Sequence, residues 1–197
     1  ASLDQYCPMY EEKDATVKSQ CTLLKSNLTR KRIEVAQKQG RFKEVAQMYM
    51  QEAADYPNDP KLDEIYYNAA VNFERAKLLG SAIKAREILL KTKPDSTLAK
   101  KAIYQIGRNF QAVAAYDKAA DYYEQFADKY PGEKEASTAL YSASFFRRGL
   151  GDNDKAIKDV ALFVKDYGGR HEFVDKAATV AFNQGQIYES EKDNARL

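Results

Sequence analysis

Ile103-Tyr-Gln-Ile106-Gly107-Arg-Asn-Phe110, followed by Tyr116, by Ala119-Ala-Asp-Tyr-Tyr123 and by Lys129-Tyr130-Pro131, is the stretch that decides the fold of this 197-residue chain. Ile103, Ile106, Phe110 and Val113 recur at three-to-four spacing, the period of an amphipathic helix. Gly107 and Ala119 are small, so a second helix can approach the first closely. A step of 37 residues brings the pattern back on both sides: Tyr66, Ala69, Ala70, Phe73, Ala82, Arg86 and Pro94 before it, Leu140, Ala143, Ser144, Arg147, Ala156, Val160 and Gly168 after it. A weaker unit holds Thr29, Arg32, Ile33, Ala36, Val45, Tyr49 and Pro57, and a fifth opens at Ala177, Val180, Ala181 and Gln184. A fixed period of this size marks a repeat architecture, in which one unit cannot bury its own face and stability comes from stacking neighbours. The reading is all-α, as antiparallel helix pairs near 27–57, 61–94, 98–131, 134–168 and a partial 171–197. No alternating apolar run long enough for a strand survives.

Aromatics (Tyr66, Phe73, Phe110, Tyr116, Phe126) are expected to fill the space between layers. Turns are expected at Gly40, Gly80, Gly149-Leu150-Gly151, Pro57-Asn58-Asp59-Pro60, Pro94-Asp95-Ser96 and Gly168-Gly169. Ser96 and Asp152 are expected as helix N-caps. Residues 1–26 read as an irregular arm followed by a capping helix, because Val17, Cys21, Leu24 and Leu28 share one helix stripe. The chain stops at Asp193-Asn194-Ala195-Arg196-Leu197, where a fifth partner helix should begin, so it reads as a piece of a longer protein or as one with an unusual cap.

Over residues 27–190 the pattern resembles the tetratricopeptide repeat, W-x2-L-G-x2-Y…A-x3-F…P. The chain departs from it in its 37-residue period, in Arg86 and Arg147 at usually aromatic places, and in Gly168 where Pro would stand. The resemblance implies a right-handed superhelical solenoid with a concave groove lined by the first helices, and a non-catalytic scaffold that binds a peptide or protein partner. The extended unit, with closings such as Asp-Lys-Tyr-Pro, is similar in style to tetratricopeptide proteins of bacterial cell envelopes, among them outer-membrane assembly lipoproteins, proteins near the Tol–Pal system and gliding-motility proteins. A periplasmic place in an envelope assembly is what that style implies. The alternatives are a cytoplasmic adaptor or regulator, or an accessory helical domain of a larger enzyme. Family members that grip a C-terminal carboxylate place Lys in the groove where Tyr67 and Tyr104 stand here, so no such clamp is expected.

Within that groove, Tyr67, Tyr104 and Tyr141 recur one place after the first signature residue of their units. One turn on stand Val71, Arg108, Phe145 and Phe182, and further round Glu74, Arg75, Gln111 and Arg148. The partner-binding candidates are therefore Tyr67, Tyr104, Arg108, Tyr141, Phe145, Arg148 and Phe182, since Tyr and Arg are common interface anchors. The competing reading is that the tyrosines complete packing between repeats and leave only their hydroxyls in water.

Composition narrows the function classes. Lys plus Arg number 31 and Asp plus Glu 29, for a net charge of +2. This balance speaks against a nucleic-acid binder and against a polybasic membrane-surface protein. No apolar run approaches 18 residues, so no membrane span is expected, while a lipid anchor outside this stretch and the oligomeric state stay open. One His and no Trp leave little for metal or His chemistry; His171 reads as a turn residue. No catalytic, cofactor or metal set is expected, and the acidic residues form no apolar-flanked pair. Gly149-Leu150-Gly151-Asp152-Asn153-Asp154 lacks the rest of a phosphate or calcium loop and reads as a helix start. Asn27-Leu28-Thr29 fits a glycosylation sequon at an expected helix start. Arg30-Lys31-Arg32 reads as a solvated basic face. Cys7 and Cys21 allow a disulfide from arm to helix, stabilising by about 3 kcal/mol and implying an oxidising compartment; otherwise they are two free thiols.

Overall fold

The computed structural model describes residues 7–9 and 14–190; the expectations placed on the rest of the arm and on the tail from Asp193 lie outside them. The described residues are helical with no strand. The chain divides into two compact units, Ala1–Leu78 and Leu79–Leu197.

The first unit holds α1 (Ala15–Lys38), α2 (Phe42–Asp55) and α3 (Leu62–Arg75). Asp14 starts α1 by accepting a hydrogen bond from the Thr16 N–H at 2.7 Å. The expected capping helix and the first helix of the first repeat are one element, because no breaker stands between Cys21 and Lys38. Asn27 and Thr29 consequently lie in mid-helix, not at a helix start. Cys7 and Cys21 form a disulfide with their Cα atoms 5.8 Å apart, and both are buried. Ile33, Ala36 and Val45 join α1 to α2, with Met48 and Tyr49 beside them. Ala53, Leu62 and Ile65 join α2 to α3. Leu24 and Leu28, expected on the packed stripe, are exposed instead.

The second unit holds α4 (Leu79–Thr92), α5 (Thr97–Ala112), α6 (Tyr116–Lys129), α7 (Ala136–Gly149), α8 (Asn153–Tyr167), a 3-10 turn (His171–Phe173) and α9 (Val174–Ser190). Consecutive helices pack on one another through a core of Ile103, Ala119, Ala120, Tyr123, Phe126, Leu140, Ala143, Val160, Phe163 and Val180. Gly107 is required here: a Cβ would stand 2.8 Å from the Tyr123 ring. Ser96 caps α5, accepting from the Leu98 N–H at 3.0 Å.

Three expectations are corrected. Asp152 precedes α8 but makes no side-chain cap; its carboxylate lies 3.3 Å from the Lys155 ammonium. Gly80 falls inside α4, not in a turn. Val113 lies beyond the last residue of α5 and is exposed. Tyr116, although partly in solvent at the start of α6, does pack its ring between helices, 4.9 Å from that of Phe146 on α7.

The turns that close α1, α3, α5 and α7 carry the repeat in their backbone. Gly40, Lys77, Ala114 and Gly151, again 37 apart, have φ of +70°, +61°, +57° and +77°. In each case the following N–H reaches back across the helix end: Arg41 to Ala36 O (2.9 Å), Leu78 to Phe73 O (2.9 Å), Ala115 to Phe110 O (3.0 Å) and Asp152 to Arg147 O (2.9 Å). This is the left-handed helix stop that satisfies the last carbonyls, and glycine adopts it without steric cost.

Candidate partner-binding face

In the second unit the first helices of successive repeats are α5, α7 and α9. Tyr104 on α5 is half-buried, its ring 5.6 Å from Tyr123 and 5.1 Å from Phe126. Burial raises its hydroxyl pKa, Arg108 opposes this, and Glu135 adds to it. Behind it, burial pushes the Tyr123 hydroxyl up to about 12, and that hydroxyl donates to Gln111 Oε1 at 2.7 Å. Tyr141 on α7 packs 5.4 Å from Phe145 and 6.1 Å from Phe163. The rings of Tyr104 and Tyr141 are thus partly buried in the packing against the core.

What the face leaves open lies one turn on. Arg108 is exposed, and Phe145 and Phe182, the same place in successive units, are 43% and 66% exposed. Arg148 is not free: its guanidinium donates to Asn183 Oδ1 and to Gln186 Oε1, each at 2.6 Å, and so ties α7 to α9. Lys176 on α9 makes a second tie, its ammonium 5.6 Å from the centre of the Tyr141 ring. The sequence reading missed Lys176, Asn183 and Gln186, because they lie between the periodic positions that it followed. Tyr67 is half-buried on α3 of the first unit. That unit has its own cleft of about 370 Å³, lined in part by Arg30, Glu34, Glu52, Asp59 and Glu64. Burial raises the Glu52 pKa there, Arg30 opposes it, and Asp59 adds to it.

The two arginines at aromatic places are both buried. Arg86 donates to Asn109 Oδ1 at 2.7 Å. Arg147 takes the place of Phe110 one unit earlier and is held by α6: its guanidinium bonds Glu124 at 2.6 and 3.0 Å and also bonds Asp121. Asp159 on α8 is buried beside this centre. Its Oδ2 finds no donor. Burial, then the charge of Glu124 and a hydrogen bond with it, push the Asp159 carboxyl up to about 8 against the pull of Arg147 and Lys158. One guanidinium therefore serves several carboxyls, and one of them keeps its proton. The centre lies between packed helices and braces them. Among the described residues no group of His, Cys, Asp or Glu is gathered to hold a metal ion, and no helix is long and apolar enough to cross a membrane.

No family model matches the chain, and no curated protein matches it. Solved structures do. The TPR-like repeats of a kinesin light chain from Podosopora anserina superpose with a TM-score of 0.53 at 10% identity, over 86% of this chain and 88% of that one. BtubC from P. vanneervenii gives 0.52 at 16%, over 98% and 81%. MamA from Desulfovibrio magneticus RS-1 gives 0.53 at 18%, over 86% and 97%. At such identities the likeness speaks for the fold alone. Helix pairs every 37 residues, a glycine fitted under a tyrosine ring and these neighbours agree: the chain has the tetratricopeptide-like fold of antiparallel helix-pair repeats.

Proposed function

We propose that the chain is a non-catalytic interaction scaffold that takes a protein or peptide segment on the first-helix face of its second unit. The observation that carries this reading is the solvent exposure of Arg108, Phe145 and Phe182, which hold the same place in three successive helix-pair repeats. Large apolar rings left in water, in line with an arginine one repeat earlier, are of the residue types that interfaces use as anchors. Tyr104 and Tyr141 give this face a rigid floor, and Arg148 and Lys176 fix the spacing of α7 and α9. A segment that supplies apolar side chains to the two phenylalanines and an acceptor to Arg108 fits it.

We place the protein in the bacterial cell envelope, within a multiprotein assembly. The Cys7–Cys21 disulfide supports an oxidising compartment such as the periplasm. Affinity capture from the native source, with co-purifying chains identified, tests the face. Wild type and a Phe145→Ser/Phe182→Ser variant are compared, both checked for unchanged helical circular dichroism. Chains lost only with the variant support the reading, and equal recovery removes it. Counting thiols in denatured, unreduced protein from the same source tests the compartment: two reactive thiols would exclude it.

A further inference from the structure

The charge of the chain is concentrated on α1. That helix carries Lys18, Lys25, Arg30, Lys31, Arg32 and Lys38 against Glu34 alone, a formal charge of +5. The whole chain is +2, which leaves −3 for all other residues together. The acidic Glu11, Glu12 and Asp14 stop before the helix begins. The near-neutral total, which speaks against a polybasic membrane-surface protein, averages over this segregation.

The same helix keeps aliphatic side chains in solvent: Leu24 is 50% exposed, Leu28 42% and Val35 47%. At about 100° per residue these three fall within an arc of about 40°, with Val17 on the same line. Lys31 and Lys38 run along one edge of the stripe, and Lys25 and Arg32 along the other. The packed side of α1 is a different one, where Ile33 and Ala36 meet Val45. The stripe is therefore a second apolar line, and from Val17 to Val35 it spans about 27 Å.

We infer that α1 adsorbs to the surface of an anionic phospholipid bilayer. Leu24, Leu28 and Val35 enter the headgroup–acyl boundary, while Lys25, Lys31, Arg32 and Lys38 extend their stems to the lipid phosphates. The salt bridges of Glu34 with Lys31 (3.2 Å) and Lys38 (2.8 Å) are exposed, so phosphate can replace them at small cost. Charge complementarity selects the occupant. A protein groove is gripped mainly by aromatic and arginine anchors set in pockets, whereas α1 has no aromatic residue and four of its six cations are lysines. This adsorption stands apart from the partner face of the second unit, and either can fail without the other.

Sedimentation of the full chain with vesicles tests it. Vesicles of phosphatidylcholine mixed with phosphatidylglycerol should retain the protein, vesicles of phosphatidylcholine alone should not, and retention should fall as salt rises. Leu24→Ser with Leu28→Ser, both at exposed positions, should cut partitioning by about tenfold with circular dichroism unchanged. The chain has no Trp, so Leu28→Trp gives a single reporter whose emission should shift to the blue on anionic vesicles and be quenched by brominated acyl chains. Equal retention on both vesicle types, or retention indifferent to the serine pair, would overturn the inference. A dimer by light scattering that the serine pair dissolves would also overturn it, by assigning the stripe to a second copy of the chain.

Discussion

Lys77 and Ala114 hold the left-handed conformation that glycine holds at the equivalent Gly40 and Gly151. A side chain there costs more in the folded state than glycine costs in unfolded-state freedom. Ala114→Gly and Lys77→Gly should each stabilise the chain by about 0.5–1 kcal/mol, and Gly151→Ala should destabilise it by a similar amount, as chemical denaturation would show. Turns could be read at Gly40 and Gly151, but Lys77 and Ala114 concealed that the same turn closes all four helices. Sequence signals the left-handed turn only where glycine occupies it. Asp159 was equally opaque. Its burial depends on Glu124 and Arg147, which lie 35 and 12 residues before it and meet it only in the fold. In the unfolded chain its carboxyl loses its proton near pH 4; in the fold it keeps the proton until about pH 8. The folded state therefore binds more protons between these values. The stabilising contribution is full below about pH 4 and is lost as pH rises through about 8. Asp159→Asn should flatten the fall in melting temperature between pH 6 and 9 in a thermal series, and an unchanged slope would place the ionisation elsewhere.

At the scale of elements, small side chains set the helix spacing, and these were the most legible part of the sequence. Gly107 sits under the Tyr123 ring with no room for a methyl group. Gly107→Leu should destabilise by about 1–3 kcal/mol or more through overpacking; a neutral melt would mean that α5 and α6 do not meet there. Arg147 was legible only as an irregularity, a charge where Phe110 stands one unit earlier. Glu124 and Asp121 resolve it by turning an aromatic contact into a charged brace between helices. The boundaries of α1 were harder to read. Sequence suggested a separate cap from the stripe of Val17, Cys21, Leu24 and Leu28, but the disulfide buries Cys21 while Leu24 and Leu28 stay in water. A stripe at helical spacing shows that a helix forms; it does not show which side finds a neighbour.

Across the whole molecule, the repeat period made the fold readable, while function depends on which periodic positions remain uncovered. Tyr104 and Tyr141 were open between groove anchors and packing between repeats; their rings are partly buried against the core, while Arg108, Phe145 and Phe182 are exposed. Periodicity places these residues on one line, but only the packing decides how far each is buried. Arg148 shows the same limit, since its partners Asn183 and Gln186 stand on α9. Amide hydrogen exchange of the full chain, with and without the partner recovered by capture, tests the partner face most directly. The account predicts partner-dependent protection across α5, α7 and α9, centred on residues 104–108, 141–148 and 182–186. Protection confined to the second helices α6 and α8, with those segments unchanged, would contradict it.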